Sequence, residues 1–130
     1  TKLAVNSVSC TSAFSQMALI AALEGDQSGV VSMVEEFSRR REVIVSGLQN
    51  INGIKCPNPE GAFYVFADIT NTGITSSEFE TKSLQEAGVA VLSGTAFGSY
   101  GEGFIRLSYA NSIENINIAI DRLNNMVSSL

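Results

Sequence analysis

Hydrophobic residues recur at helical spacing in the first 50 residues of the chain. In residues 11–25 apolar side chains follow Thr11 or Ser12, either of which can cap a helix. These apolar residues face nearly every side, so the pattern predicts a short helix that is buried on more than one face. A longer helix is predicted from residue 28 or 30 to about residue 50. Its apolar stripe contains Val30, Val34, Phe37, Ile44 and Leu48, with Arg41 among them.

Two more helices are predicted in the second half of the chain, and both have recognisable start signals. Thr75-x-x-Glu78 is a capping box, and the helix that it opens ends at Gly88, where a left-handed residue fits. The last helix follows Asn111 or Ser112. Its apolar residues are spaced three and four apart, the most regular pattern in the chain: Ile113, Ile116, Ile120, Leu123, Val127 and Leu130.

Short apolar runs bounded by glycine or proline predict four strands. Residues 54–56 form a possible short strand before Pro57. Residues 61–68 are apolar on both faces, which is typical of a central strand. Residues 89–92 and 104–109 are joined by a loop that contains four glycines, Gly94, Gly98, Gly101 and Gly103.

Arg106 lies in the middle of the last predicted strand. Because side chains alternate along a strand, Phe104, Arg106 and Ser108 share one face. The other face carries Ile105, Leu107 and Tyr109. An unpaired guanidinium is costly to bury, and the strand itself holds no acidic residue. Solvent, a distant carboxylate or a ligand anion must therefore satisfy Arg106.

The order of these elements predicts an α/β fold of the two-layer α+β kind. It runs helix, helix, strand, strand, helix, strand, strand, helix, without an internal repeat or a linker. The economical architecture is a small mixed β-sheet with helices packed mainly on one face. We expect residues 1–130 to form a single domain.

Composition narrows the possible functions. Hydrophobic residues make up 45% of the chain and charged residues 16%, which is low for a free-standing domain, so part of the surface is expected to pack on something. The net charge of −5 argues against nucleic-acid binding. The one basic run, residues 39–41, has Glu35 and Glu36 before it, and the i,i+4 pairs Glu35 with Arg39 and Glu36 with Arg40 predict a solvated helix face.

The chain has no histidine and only two cysteines, Cys10 and Cys56. It therefore lacks the commonest general base, a metal-ligand cluster and a disulfide framework. No apolar run approaches the ~20 residues that span a bilayer, and no signal-peptide pattern is present. These features predict no membrane association and a cytoplasmic location. The sequence begins at Thr1, which suggests a piece of a longer chain.

The remaining motifs leave one candidate for chemistry. The glycine loop leads into a strand instead of opening a helix, so it does not match a dinucleotide or phosphate loop. The lysines, Lys2, Lys55 and Lys82, lie in no apolar context that would lower the pKa of an amine toward covalent catalysis. Arg106 is left as a candidate anion binder, with a structural or surface arginine as the alternative.

Several motifs together resemble one enzyme family. They are Ser9-Cys10-Thr11-Ser12, the basic run at residues 39–41, Gly61-Ala62-Phe63-Tyr64, Gly94-Thr95-Ala96-Phe97-Gly98, and the segment from Gly103 to Ala110, GFIRLSYA. In this order they resemble the C-terminal region of class I aminotransferases, the fold-type I pyridoxal-phosphate enzymes of the aspartate aminotransferase family. The resemblance covers essentially the whole chain.

The resemblance implies that this chain is the small C-terminal domain of such an enzyme. Arg106 would then bind the α-carboxylate of the amino-acid substrate, and Phe63 would lie near the substrate. The Schiff-base lysine and the large domain that binds pyridoxal phosphate are absent, so no catalytic residue is expected here. The chain alone should be inactive and should hold no cofactor. The whole enzyme would be a homodimer that acts on amino acids and 2-oxo acids.

Two alternatives stay open at this stage. The same fold also serves pyridoxal-phosphate enzymes that do not transaminate, and a non-catalytic regulator. A stand-alone interaction module, with an apolar face as its partner site, is the third possibility.

Overall fold

The computed structural model describes Leu3, Asn6, Ser7 and residues 10–130. Lys2 and Ser9, named above, lie outside these residues. The contacts divide the chain into two compact units, Thr1–Met33 and Val34–Leu130. The prediction of a single domain stays a prediction.

The first helix, α1, spans Ala13–Glu24 and confirms the helix expected within residues 11–25. It begins after Ser12, and the backbone N–H of Gly25 donates to the carbonyl of Ala21 at its end. None of its residues is buried, and Phe14 is 81% exposed. An apolar helix that is exposed on all sides has its hydrophobic surface still in water.

The second helix, α2, spans Ser28–Gln49. Only its C-terminal part buries apolar residues, namely Ile44, Val45 and Leu48. The predicted stripe is therefore too long, because Val30 is 50% exposed and Val34 is 59% exposed. Arg41 also differs from a typical surface arginine: its Nη1 donates to the Pro59 carbonyl, while its Nε is buried without a hydrogen-bond partner in the described residues.

The basic run on α2 forms the solvated ion-pair face that its sequence predicts, with one change of partner. Glu36 binds both Arg39, at 2.7 Å, and Arg40, at 2.9 Å. The hydrogen bond from Arg40 holds the pKa of the Glu36 carboxyl below its usual value. Among the described ion pairs, Glu35 does not take Arg39 as expected, because Glu36 holds both guanidinium groups.

The third helix, α3, spans Ser76–Gln85 and begins with the predicted capping box. The Thr75 hydroxyl accepts the N–H of Glu78, whose carboxylate accepts the N–H of Thr75. Gly88 has a φ of +64°, the left-handed conformation expected after this helix. The last helix, α4, spans Ile113–Ser128, and its cap is Ser112, whose hydroxyl accepts the N–H of Asn115.

Three strands form the sheet: β1 at Tyr64–Asp68, β2 at Leu92–Ser93 and β3 at Phe104–Ser108. Their order is β1-β3-β2, and both pairings are antiparallel. The expected central position of β1 is therefore wrong, since β3 lies in the middle. Three predicted boundaries also shift: β1 starts later, β2 is shorter and later, and residues 54–56 contribute only a bridge between Lys55 and Asp68.

The hydrophobic core lies on one face of this sheet. The residues that point into it are Val65, Ala67, Ile105 and Leu107. Side chains of three helices join the same cluster, among them Ile44 and Leu48 of α2, Phe79 of α3, and Leu123 and Met126 of α4. This arrangement confirms the predicted fold class, a small sheet with helices packed on one face, and it leaves the opposite face open. The sheet was expected to be mixed, but both of its described pairings are antiparallel.

Candidate functional site

Arg106 occupies the centre of the open face of the sheet. β3 is the middle strand, and Arg106 lies opposite Phe66 of β1 on one side and Leu92 of β2 on the other. Its neighbours Ile105 and Leu107 are buried on the core face, as the alternation predicts. Because side chains alternate along β3, the guanidinium is directed away from the helices.

Two aromatic rings contact the guanidinium of Arg106. Its Cζ lies 4.3 Å from the centroid of the Tyr64 ring and 4.5 Å from that of the Phe97 ring. Among the described residues, no carboxylate pairs with Arg106 and no acceptor takes a hydrogen bond from it. Rings attract the cation through their faces but accept none of its five N–H groups in the way an oxygen does. Arg106 therefore keeps the donors that an anion needs.

Phe97 is itself supported by aromatic neighbours on the open face. Phe66 and Phe104 stack with their ring planes 8° apart and their centroids 5.2 Å apart. The ring of Phe97 meets Phe66 edge-on at 6.2 Å. Edge-on and offset-stacked pairs are the favoured arrangements of aromatic rings. The surroundings of Arg106 are therefore largely apolar and ordered by ring contacts.

The glycine loop delivers Phe97 to this position. Two 3₁₀ turns, Gly94–Phe97 and Ser99–Gly101, bring the backbones of Gly94 and Gly101 so close that a side chain on either would collide with the other. Gly98, between the turns, has a φ of +122°, which glycine adopts most easily. These glycines serve close backbone approach and tight turns, and the loop leads into β3.

The start of β3 is held by a buried hydroxyl. The Ser76 side chain accepts the backbone N–H groups of Gly103, at 2.8 Å, and of Phe104, at 3.1 Å. In return the N–H of Ser76, at the start of α3, donates to the carboxylate of Glu102. The backbone at the start of β3, the strand that carries Arg106, is therefore hydrogen-bonded to the first residue of α3.

Phe63, the second residue expected at the site, contacts Tyr64 and does not contact Arg106 itself. Its ring centroid is 4.5 Å from that of Tyr64 and 6.1 Å from that of Phe37, and the residue is 41% exposed. Tyr64, not Phe63, contacts the guanidinium. Phe63 thus lies between Tyr64 and Phe37 of α2, and no described contact joins it to Arg106.

The backbone before Phe63 is constrained by Tyr109. Ala62 has a φ of +58°, an uncommon conformation for a residue with a side chain. The Tyr109 hydroxyl donates to the Ala62 carbonyl at 2.8 Å, and the Tyr109 N–H donates to the Phe63 carbonyl at 3.0 Å. Tyr109 follows β3 directly, so one strand positions both Arg106 and the segment that holds Phe63.

Sequence inspection missed Tyr64 and Phe97 as partners of Arg106. Both stood inside motifs that were recognised, Gly61-Ala62-Phe63-Tyr64 and Gly94-Thr95-Ala96-Phe97-Gly98. The available signal was strand alternation: Tyr64 and Phe66 share a face, and that face meets Arg106 once the register is known. Without the register, Phe63 and Tyr64 are equivalent candidates.

The one carboxylate of β1, that of Asp68, is already engaged. Asp68 accepts hydrogen bonds from both the side chain and the backbone N–H of Thr70, which hold the pKa of its carboxyl below its usual value. The charge of Lys55 acts in the same direction. Asp68 therefore stays ionised in its own turn and does not neutralise Arg106.

Other reactive groups in the described residues offer no second centre. Burial raises the pKa of the Cys56 thiol to about 11, so it is protonated and unreactive at neutral pH. No group of three or more potential metal-binding side chains occurs among the residues that the structure describes. In that same part of the chain, no helix is long and apolar enough to cross a membrane.

The site and fold agree with comparisons to known proteins. The family model for aminotransferase class I and II matches residues 2–123, and the chain belongs to this family. An aspartate aminotransferase from Pyrococcus horikoshii is 42% identical over 125 residues, which is 95% of this chain and 32% of that protein. A probable N-acetyl-LL-diaminopimelate aminotransferase from Bacillus subtilis is 37% identical over 89% of this chain and 29% of its own length.

Solved structures give the same result. An aromatic aminotransferase from Pyrococcus horikoshii superposes with a TM-score of 0.89 at 37% identity, over 98% of this chain and 35% of that one. The aspartate aminotransferase of Rhizobium meliloti gives 0.86 at 34% identity, over 98% and 34% of the two chains. The family resemblance is thereby confirmed. This chain spans about a third of the length of these relatives.

Pyridoxal phosphate, the cofactor that the family resemblance implies, does not fit the described residues. It would need a lysine beside the substrate site. Lys82 is ion-paired with Glu86 on α3, and Lys55 forms a backbone bridge with Asp68. Neither contacts Arg106 in the described part of the chain. Around Arg106 the described contacts are those of the Tyr64 and Phe97 rings.

Proposed function

We propose that this chain is the C-terminal domain of a pyridoxal-phosphate-dependent aminotransferase, in which Arg106 binds the α-carboxylate of the substrate. The enzyme would transfer an amino group between an amino acid and a 2-oxo acid. The large domain, the Schiff-base lysine and the cofactor site would come from the rest of the protein. Residues 1–130 alone would be inactive.

The observation that carries this proposal is the open guanidinium of Arg106. Its Cζ lies over the rings of Tyr64 and Phe97, while no oxygen of the described residues accepts its N–H groups. A planar fork of N–H donors matches the two oxygens of a carboxylate. An amino acid and a 2-oxo acid both present such a group, so a single arginine can hold either of them.

The relatives give further support. The aspartate aminotransferase of Thermus thermophilus, 34% identical with a TM-score of 0.81, was solved with maleate, a dicarboxylate. A putative aminotransferase from Clostridium difficile, at 23% identity and a TM-score of 0.81, is described as bound to pyridoxal phosphate, and its likeness to this chain concerns the fold. Carboxylate binding and the cofactor thus both occur among proteins of this fold.

In this proposal the chain's own residues bind and orient the substrate. Two N–H groups of Arg106 would bond the two carboxylate oxygens and thereby fix the direction of the adjacent carbon. Holding a reactant in one orientation can supply a large part of a rate enhancement. Phe63, whose ring contacts that of Tyr64, would lie near the bound substrate. The amino-transfer chemistry itself belongs to groups outside this chain.

The exposed first helix supports the presence of a partner domain. Every residue of α1 is exposed, and Phe14 and Leu23 are 81% and 71% exposed. Contiguous apolar surface of this kind usually marks an interaction site. The remaining part of the enzyme would cover it, and two copies of the enzyme would form a homodimer.

The test uses the full-length protein that contains this chain, with Arg106→Lys and Arg106→Gln. Amino donors are L-aspartate, L-alanine and L-phenylalanine, and the best of them is used for all variants. Losing a charge-assisted bidentate contact should lower kcat/KM by about tenfold to a hundredfold, since such bonds contribute about 1.5–3 kcal/mol.

The matched control is Arg39→Lys, which alters an exposed arginine in an ion pair with Glu36 and should leave the kinetics unchanged. If Arg106→Gln retained the kcat/KM of the unmodified enzyme, Arg106 would not be the carboxylate-binding residue. Measuring kcat/KM for the 2-oxo acid in the reverse reaction provides a second check, because the 2-oxo acid carries the same carboxylate.

A further inference from the structure

The two rings on Arg106 come from elements on either side of β3. Tyr64 belongs to β1, and Phe97 lies in the 3₁₀ turn that follows β2, the strands that flank β3 in the sheet. Each ring centroid is within 4.5 Å of the guanidinium carbon. Two independent segments therefore converge on one side chain, and neither offers it a hydrogen-bond acceptor.

Such contacts restrict a long side chain that would otherwise be mobile. A free arginine loses considerable rotamer entropy when a ligand immobilises it, and a side chain that is already held loses less. The rings attract the cation, and among the described residues no acceptor takes a hydrogen bond from it, so its N–H groups stay available. The side chain is thus held in place before a ligand arrives.

We propose that Tyr64 and Phe97 are positioning residues, which fix the plane of the Arg106 guanidinium so that both of its outer N–H groups meet one carboxylate. This inference rests on the proposed function and adds two residues to it. It concerns orientation only, since neither ring needs to touch the substrate.

Neither ring is part of the hydrophobic core. Phe97 is 52% exposed, and Tyr64 lies on the face of β1 that is opposite to the buried Val65 and Ala67. Replacing either ring should therefore leave the core intact. An effect on substrate binding can then be separated from an effect on folding.

The experiment replaces each ring in the full-length protein, as Tyr64→Leu and Phe97→Leu, with the amino donor chosen for the Arg106 variants. Each leucine variant should raise KM about threefold to tenfold, the range expected for loss of one cation–π contact, with a smaller change in kcat. Tyr64→Phe and Phe97→Tyr keep a ring and should restore KM. Tyr100→Leu, a 98% exposed ring in the same glycine loop, is the matched control and should change nothing.

A double-mutant cycle shows whether the rings act through Arg106. Each leucine variant is also made in the Arg106→Gln background, where it should no longer change KM, because the cation that it holds is gone. Thermal unfolding of every variant accompanies the kinetics. If one leucine variant does not fold, the other carries the test.

The outcomes separate the two proposals. If Arg106→Gln raises KM but the leucine variants do not, or if they raise it equally in the Arg106→Gln background, the positioning role is overturned and the proposed function stands. If Arg106→Gln itself leaves kcat/KM unchanged, the proposed function fails, and the positioning role fails with it. If the leucine variants raise KM when Arg106 is present and do not raise it further when Arg106 is replaced by Gln, both proposals are supported.

Discussion

The hydroxyl of Ser76, at the start of α3, accepts the backbone N–H of Gly103 at 2.8 Å, immediately before β3, the strand that carries Arg106. The same oxygen accepts the N–H of Phe104. Ser76 is completely buried, so water cannot replace it as a partner. This single side chain therefore satisfies two backbone donors at the point where the glycine loop becomes β3.

Replacement of that hydroxyl should destabilise the protein. Ser76→Ala would leave the buried N–H of Gly103 and the partly buried N–H of Phe104 without their acceptor, and an unsatisfied buried group costs about 1–3 kcal/mol. We expect a loss of at least about 2 kcal/mol in the free energy of unfolding, measured by urea titration. Ser77→Ala changes the exposed neighbour on the same helix and should have little effect. Equal stability of the two variants would show that the Ser76 contacts are energetically unimportant.

The contact between Tyr109 and Ala62 gives a second prediction about stability. Tyr109→Phe removes the hydroxyl that donates to the Ala62 carbonyl and should cost about 1 kcal/mol. Ala62→Gly acts in the opposite direction, because glycine adopts the observed φ of +58° without strain, and should stabilise the protein by up to about 1 kcal/mol. Tyr100→Phe, which removes an exposed hydroxyl, is the control for the first variant. A destabilised Ala62→Gly variant would contradict the strain assigned to this position.

Local and long-range features of the fold were predictable to different degrees. The capping box of Thr75 and Glu78 and the alternation around Arg106 follow from adjacent residues, and both are confirmed. The position of β1 at the edge of the sheet depends on which distant strands pair, and its apolar sequence suggested a central strand. Phe66 explains the difference: it is apolar but faces the open side, beside Phe97 and Phe104.

The candidate site shows the same limit. Arg106 was identified because a charged residue in an apolar strand is unusual. Its partners Tyr64 and Phe97 are 42 and 9 positions away in the chain, and only the register and the turn after β2 bring them to it. Phe63 was the residue that the family resemblance suggested, and the structure places it beside Tyr64 instead of Arg106.

The dependence of stability on pH should reflect Asp68. Its hydrogen bonds with Thr70 lower the pKa of the carboxyl in the folded protein, so folding favours the ionised form. The resulting stability is present above the pKa of the unfolded state, near 3.8, and is lost as the pH falls through the lower folded value. Asp68→Asn should therefore flatten the loss of stability between about pH 5 and about pH 2, measured by urea unfolding at each pH.

Asp121→Asn is the control for that experiment, since it removes an equal charge from the exposed side of α4. If Asp68→Asn lost stability at low pH as the unmodified protein does and had the same stability at neutral pH, the hydrogen bonds with Thr70 would not contribute to stability.

The last prediction concerns the chain by itself. Residues 1–130, mixed with pyridoxal phosphate and then desalted, should show neither the visible absorbance of a lysine-bound cofactor nor transaminase activity. The reason is that Lys82 is ion-paired with Glu86 and Lys55 lies at the bridge to Asp68, and neither described lysine contacts Arg106. The full-length protein treated in the same way is the positive control and should retain the cofactor. If the short chain retained the cofactor and lost it on replacing Lys55 or Lys82, a cofactor site would exist within these residues. The proposal that the rest of the protein supplies that site would then be wrong.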